Sequence, residues 1–273
     1  MVKVVLRDGL TAFLKAGANQ NVHTEAAVIG LARAGGVPVV DVLATGFDDQ
    51  LPGGRWMITR AARGQTLADV GLGAPTIARS LADLALHYTR LHETTLPGRG
   101  SIAPDGSRAT LASWSQWQRQ VMEEALATLT QRNDVSASFG ERARRLAEEF
   151  AADLDRAPAA LLHADLGDRE VYVDPSSGEV TALVDWGAAL VGDPLYDLAR
   201  FVGGGPADDP RPAQLNPVLR DRYFARGPQD PAHAERMLLF YRFHICIVEA
   251  AWEPTWAPAH TAWADKLMAD LSR

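Results

Sequence analysis

The spacing of hydrophobic positions divides the chain into a β-rich beginning and a mainly helical remainder. Residues 3–7 and 10–17 are rich in β-branched and other apolar side chains, and the turn dipeptide Asp8-Gly9 joins them. Two such runs around a short turn are typical of a β-hairpin. The chain is therefore expected to open with two antiparallel strands.

A helix and two further strands are predicted next. Residues 23–36 have the period of an amphipathic helix, which Thr24 could cap and Gly35-Gly36 would end. Residues 37–47 and 54–62 are β-prone, and the polar, Gly- and Pro-containing segment between them predicts a turn. These elements together predict a small antiparallel sheet with one helix.

Beyond residue 62 the apolar positions mostly recur with helical spacing. Helices are predicted at residues 75–98, 113–132 and 138–157, with a surface loop at 98–113. Residues 172–186 predict a strand pair around Ser177-Gly178, and the rest is predicted helical with Pro-rich interruptions at 203–217. We therefore expect an α+β protein with a β-rich domain at 1–62 and a larger helical domain at 63–273.

Composition narrows the classes of function. Of the 273 residues, 47% are apolar and 22% charged, which is ordinary for a folded globular protein, and the net charge of −7 disfavours nucleic acid as a partner. The negative charge mildly favours a cationic or neutral small substrate, although solubility alone could explain it. Cys246 is the one cysteine, and no signal peptide or membrane span is visible, so a cytoplasmic location without a membrane partner is predicted.

Acidic side chains at predicted strand ends suggest chemistry. Asp165 follows His163 by two residues. Asp185 lies at the end of a second hydrophobic strand, with one short hairpin between the two acids, so both are expected on adjacent strand ends. Phosphoryl transfer needs a base, carboxylates for Mg²⁺, and a lysine for the phosphates. Lys15 in a strand and Glu25 early in a helix complete such a set. Taken alone, that lysine and glutamate would be an ordinary solvated ion pair.

The order of these motifs resembles the aminoglycoside phosphotransferase family, the small-molecule branch of the protein-kinase-like fold. The resemblance rests on HADLGDRE at 163–170, ALVDWG at 182–187 and GDPLYDLA at 192–199. Segments 13–39, 54–67 and 86–93 resemble its lysine strand and glutamate helix, its hinge, and its first large-lobe helix. This resemblance implies a two-lobed fold with a small antiparallel β lobe and a larger helical lobe.

The resemblance also implies roles for individual residues. It makes Asp165 the catalytic base, which His163 supports, and it makes Asp185 a ligand of Mg²⁺. It implies that ATP or GTP is the phosphate donor. The remaining implied positions are Lys15 and Glu25 at the phosphates, the backbone of Ile58, Thr59 and Ala61 at the purine, and Asp193 and Asp197 as braces of the loop.

The chain departs from the family pattern in two places. Glu170 stands where the family usually has Asn, so a second metal ligand would carry a negative charge, and binding of nucleotide is expected to depend steeply on metal. Asp168 could substitute as a ligand, or could be a solvent-exposed loop acid. The residues up to the lysine suffice for only two strands, so the first strand and phosphate loop of the family are expected to be absent from this sequence, as in a lobe truncated at its N-terminus.

The acceptor and the activity itself are left open by the sequence. An aminoglycoside or other antibiotic is the favoured acceptor, and Glu249 and Glu253 could bind an amine or simply face solvent. A pseudokinase acting as a binding module is the alternative, and a phosphate-releasing hydrolase is a weaker one. The oligomeric state is not predicted. Aromatic side chains that could pack on the acceptor or in the core are Tyr241, Trp252, Trp256 and Trp263.

Overall fold

The computed structural model describes residues 1–7, 9–17, 22–51, 53–71, 75–201, 210–226 and 230–272. Its first sheet is antiparallel and has the order β1-β2-β4-β3. Helix α1 follows β2 in the chain and packs against β3 and β4. These elements are β1 (Val2–Val5), β2 (Thr11–Ala16), α1 (Val22–Ala34), β3 (Val42–Phe47) and β4 (Arg55–Arg60).

This part of the fold agrees with the predicted hairpin, helix and strand pair, with two corrections. Helix α1 begins at Val22, so Thr24 lies in its first turn, largely buried, and does not cap it. The third strand begins at Val42 rather than at residue 37, because Pro38 has no N–H to donate to a ladder. Asp8, half of the predicted turn, lies outside the described residues.

A small sheet connects the first sheet to the rest of the molecule. It has the order β10-β9-β5, with β5 at Gln65–Thr66, β9 at Val171–Val173 and β10 at Val180–Leu183. The hairpin of β9 and β10 was predicted from sequence and is confirmed. Leu183 also donates its N–H to Pro38 O, 2.8 Å away, so this sheet is tied to the chain that leads into β3.

A second four-stranded sheet has the order β7-β6-β11-β8. The loop predicted at 98–113 is wrong here, because two strands form within it. The glycine-containing composition of that segment is typical of loops, but β6 pairs with β7 inside the segment and with β11, which is distant in sequence. The strands are β6 (Arg99–Ile102), β7 (Ala109–Leu111), β8 (Ala160–Leu162) and β11 (Leu190–Gly192).

Helices make up most of the remaining chain, and polar caps define several of their starts. Ser113 and Ser136 accept hydrogen bonds from backbone N–H groups at the starts of α3 and α4, and Asp230 does so for α7. The interruptions predicted at 203–217 are wrong over 210–217, where Pro217 lies inside α6. The helices are α2 (Ile77–Glu93), α3 (Trp114–Gln131), α4 (Ala137–Arg156), α5 (Pro194–Phe201), α6 (Pro210–Phe224), α7 (Pro231–Trp252) and α8 (Ala257–Leu271).

The helical core surrounds one buried polar chain. Trp114 Nε1 donates to Tyr241 Oη at 3.0 Å, and Tyr241 Oη donates to Asp193 Oδ2 at 2.8 Å. Asp193 Oδ1 accepts the N–H of Leu195 at 3.0 Å, which fixes the start of α5. Because burial raises the pKa of Asp193, these bonds are needed to keep the carboxylate satisfied. No helix in the described part of the chain is both long and apolar enough to cross a bilayer.

We predict that Tyr241→Phe lowers the free energy of unfolding by about 1–3 kcal/mol, because it leaves a buried carboxylate and a buried indole N–H each short of a partner. Thermal or urea unfolding followed by circular dichroism measures the change. Tyr172→Phe in β9, where the ring is half-buried, is the matched control and should cost less. Equal stability of the two variants would contradict the role assigned to this network.

Candidate functional site

Three charged side chains from separate elements meet between the first sheet and the β9–β10 hairpin. Lys15 Nζ, on β2, lies 2.8 Å from Glu25 Oε2 on α1. The same Nζ lies 2.7 Å from Asp185 Oδ1, which follows β10. The Lys15 side chain is 12% exposed and that of Asp185 60%, so the cluster is open to solvent on the side of Asp185.

The cluster holds its lysine in the charged form. Burial by itself lowers the pKa of Lys15, but the charge of Glu25 and the hydrogen bonds of Asp185 and Glu25 outweigh burial, and the net pKa is raised. Burial raises the pKa of Glu25 despite the nearby ammonium. Lys15 is therefore a fixed cation beside a solvent-accessible carboxylate, an arrangement that can bind an anionic ligand such as a phosphate.

Backbone strain occurs at the predicted metal ligand, Asp185, and next to the predicted catalytic base, Asp165. Asp185 itself has φ of 65°, and Ala164, which directly precedes Asp165, has φ of 64°. The left-handed region is costly for residues other than glycine and is retained where surrounding contacts enforce it. Each is held by neighbours here, since Asp185 pairs with Lys15, and Asp197 accepts the N–H of Ala164 at 2.7 Å.

The loop at 163–170 is fixed by buried groups. Asp197 Oδ2 accepts the N–H of His163 at 2.9 Å and Nε2–H of His92 at 3.2 Å. His92 Nδ1 in turn lies 2.9 Å from the hydroxyl of Tyr223. Asp197 is completely buried and thus braces the loop, as the sequence analysis expected.

His163 connects this loop to the segment that carries Asp185. Its Nε2–H donates to the carbonyl of Val184 at 2.9 Å, and its ring lies 4.5 Å from that of Trp186. Burial lowers the pKa of His163, which favours this neutral tautomer. The expectation that the two acids follow adjacent strands is wrong, because β8 and β10 belong to different sheets. His163 provides one direct link between the two segments, and the N–H of Val184 donates to Glu170 O at 3.0 Å as a second.

Asp165 is the solvent-facing acid of the loop. Its side chain is 48% exposed, and both nitrogens that contact it belong to Arg200 of α5. Glu170, by contrast, turns back into the loop, where its Oε2 accepts the N–H of Gly167 at 3.0 Å. Asp168 is buried, so the expectation of a solvent-exposed loop acid is wrong there.

Comparison with known proteins decides the family. The profile of the phosphotransferase enzyme family matches residues 3–238 of the 273. The chain belongs to this family. Hygromycin-B 4-O-kinase of Escherichia coli is 29% identical over 212 residues, or 74% of this chain and 56% of that protein. The phosphotransferase-family chain therefore spans little more than half the length of the curated relative that it matches.

Solved structures confirm the fold of this family member. A thermostable mutant of aminoglycoside phosphotransferase APH(4)-Ia, in a ternary complex with AMP-PNP and hygromycin B, aligns with a TM-score of 0.72 at 19% identity, covering 96% of this chain and 86% of that chain. A putative fructosamine-3-kinase from Thermobifida fusca YX-ER1 aligns with a TM-score of 0.72 at 17% identity, covering 99% and 88%. The predicted kinase-like α+β fold is thus confirmed, whereas the domain boundary at residue 62 stays a prediction.

The residues implied for nucleotide binding in this phosphotransferase-family chain lie in the first sheet, next to it, or in helix α1. Lys15 and Glu25 form the ion pair described above. Ile58 and Thr59 lie in β4, which pairs on one side with β2 and on the other with β3. Ala61 follows that strand and donates its N–H to Thr11 O at 3.1 Å. Contact between this backbone and a purine stays a prediction.

The predicted metal residues suit Mg²⁺ when nucleotide phosphates complete the coordination. Among the described residues, no three or more His, Cys, Asp or Glu side chains are grouped closely enough to hold a metal by themselves. Mg²⁺ usually needs only one or two carboxylates besides phosphate and water oxygens. Asp185 is 60% exposed, whereas Glu170 Oε2 already accepts the N–H of Gly167, so joint coordination of Mg²⁺ by Asp185 and Glu170 stays a prediction.

The acceptor residues proposed from sequence have several different environments. Glu249 is paired with Arg200 and His260, whereas Glu253, whose Oε1 accepts the N–H of Thr255 at 3.0 Å, is partly exposed. Binding of an amine by either carboxylate stays a prediction. Tyr241 is buried in the hydrophobic core, and Trp263 is partly buried and packs against that core. Trp252 and Trp256 are exposed.

Sequence reasoning missed Arg200 and His92, which both contact the loop or its brace. The available signal for Arg200 was its position three residues after Asp197 on a predicted helix, which places both on one face. His92 offered no comparable signal, because its contact with Asp197 spans 105 residues.

We predict that Glu170→Gln raises the melting temperature in the absence of metal. Burial, together with the charges of Asp165 and Asp185, raises the pKa of Glu170 despite its bond to Gly167, so ionised Glu170 is unfavourable in the fold. Removing the charge should stabilise by roughly 0.5–1 kcal/mol above the raised pKa, and the gain should disappear as pH falls through it. Thermal unfolding in chelator from pH 4 to 8 measures this. A lower melting temperature at pH 8 would contradict the assignment.

Proposed function

We propose that the chain is a small-molecule kinase that moves the γ-phosphate of ATP or GTP to a hydroxyl group. The observation that carries this proposal is the junction of Lys15, Glu25 and Asp185, with Lys15 Nζ 2.7 Å from Asp185 Oδ1. This junction brings a fixed cation, a buried partner and an exposed carboxylate together. His163 ties the loop of Asp165 to the segment that carries Asp185. Membership of the phosphotransferase enzyme family supports it.

The reaction assigns one task to each side chain. Asp165 orients the acceptor hydroxyl and receives its proton as the oxygen attacks the γ-phosphorus in line. The new O–P bond forms while the bond to the β,γ-bridging oxygen breaks, and the nucleoside diphosphate leaves. Lys15 stabilises the negative charge on the phosphates. Mg²⁺, held by Asp185 and Glu170, would supply further positive charge at the phosphate oxygens.

The acceptor that we favour is an aminoglycoside or a related antibiotic. Support comes from the relative named hygromycin-B 4-O-kinase and from the structural neighbour solved with hygromycin B. The net charge of −7 is compatible with a cationic acceptor. A thermal-shift screen of nucleotides with and without Mg²⁺, followed by product analysis over an antibiotic panel, tests this. Binding without any phosphorylated product would favour a binding module instead, and free phosphate would favour a hydrolase.

Asp165→Asn should lower turnover by at least about 100-fold, because the amide cannot accept the hydroxyl proton. Nucleotide affinity should change little, since Asp165 lies on the acceptor side of the proposed reaction. Steady-state kinetics and calorimetric titration measure the two effects. Glu148→Gln, at a 72% exposed position of α4, is the matched carboxylate-to-amide control and should keep full turnover. Retained turnover in Asp165→Asn would reject the assignment of the base.

Nucleotide affinity should fall at least about tenfold when Mg²⁺ is removed by a chelator, which corresponds to about 1.4 kcal/mol. The reason is that, in the proposed site, the carboxylates of Glu170 and Asp185 repel the phosphates when no cation lies between them. Calorimetric titration with ATP and with GTP, in Mg²⁺ and in chelator, gives the affinities. Full affinity in chelator would refute the proposed metal site, and Glu170→Gln should show a smaller dependence on Mg²⁺ than the unaltered protein.

A further inference from the structure

Arg200, in the last turn of α5, contacts Asp165 and Glu249 at the same time. Its Nη2 and Nε lie 2.5 Å and 3.1 Å from Asp165 Oδ1. Its Nη1 donates to Glu249 Oε1 on α7. The Arg200 side chain is 26% exposed, so the guanidinium is largely enclosed between the two carboxylates. It therefore bridges the 163–170 loop and the C-terminal helices.

Helix α5 holds Asp165 from two directions. Asp197 binds the backbone N–H groups of His163 and Ala164, and Arg200 binds the carboxylate of Asp165 itself. Residues three apart lie on one face of a helix, so a single helix supplies both contacts. Both of these hydrogen bonds to the carboxylate end on Oδ1, so neither of them occupies Oδ2, and the side chain is 48% exposed.

The rear of the guanidinium is anchored as well. Glu249 Oε2 lies 3.2 Å from Nε2 of His260 on α8, and the His260 ring stacks on Trp256. Although burial alone would raise the pKa of Glu249, His260 and Arg200 hold it below its usual value, so Glu249 is an anion. A buried ion pair with a second anchor keeps a guanidinium in one orientation.

We propose that Arg200 is a positioning residue for phosphotransfer, which fixes Asp165 through Oδ1 and leaves Oδ2 to accept the proton of the acceptor hydroxyl. This inference rests on the proposed function. Arg200 keeps its own protons throughout, because the charge of Glu249 and that of Asp165 outweigh burial and raise its pKa further above the usual range. A misplaced base lowers the chemical rate without changing nucleotide binding.

The experiment compares Arg200→Gln, Arg200→Lys and Arg200→Ala with Arg142→Gln, whose side chain is exposed and pairs with Asp265. We expect Arg200→Gln to lower kcat by about 10- to 100-fold with nucleotide KM changed less than about twofold. Arg200→Lys should be intermediate, because it restores the charge but not the fork of two N–H groups. Guanidinium ions should raise the rate of Arg200→Ala, and Arg142→Gln should retain the normal rate.

A second variant guards against simple loss of folding. Arg200→Gln leaves Glu249 without its guanidinium partner, so Arg200→Gln/Glu249→Gln should recover the melting temperature but not kcat. Recovery of kcat in the double variant, or equal kcat in Arg200→Gln and the unaltered protein, would overturn the inference. The same holds if guanidinium fails to rescue a folded Arg200→Ala.

A measurement without turnover separates this inference from the proposed function. Absence of any phosphorylated product from the unaltered protein would reject the proposed function. The melting-temperature changes of Arg200→Gln, Asp165→Asn and the combined variant Arg200→Gln/Asp165→Asn then still decide whether Arg200 holds Asp165. Non-additive changes are expected from a direct contact, whereas additive changes would overturn it.

Discussion

The completely buried carboxylate of Asp197 is the contact on which the site geometry depends. It accepts the backbone N–H groups of His163 and Ala164 and a ring N–H of His92. Without these bonds the left-handed backbone conformation of Ala164 would lose the hydrogen bond that holds it, and the position of the following residue, Asp165, would no longer be fixed. A buried acceptor on α5 thus fixes the conformation of a strained loop.

Two sets of contacts connect this loop to the rest of the candidate site. Toward the first sheet, His163 holds the segment of Val184 that presents Asp185 to Lys15. Toward the C-terminal helices, Asp165 pairs with Arg200. Lys15 and Arg200 each contact carboxylates from two different elements. The relative placement of sheets and helices therefore determines the electrostatics of the candidate site.

Much of the site was accessible from sequence because its residues come in short, ordered motifs. The order of Lys15, Glu25, Asp165 and Asp185, with one hairpin between the last two, predicted a kinase-like arrangement, and the family and fold are confirmed. The loop predicted at 98–113 failed partly because β6, besides pairing locally with β7, also pairs with β11, which is distant in the chain. Local composition cannot show a ladder whose second strand is distant in the chain.

The sequence by itself indicated the first hairpin, the periods of the helices and the acidic residues of the candidate site, and its resemblance to the family implied the bracing role of Asp197. Only the tertiary structure decided that β8 and β10 lie in separate sheets, that Glu249 is paired, and that Arg200 holds Asp165. The physical reason is range. Periodicity and capping depend on residues a few positions apart, whereas an ion pair between α5 and α7 exists only after packing brings the two helices together.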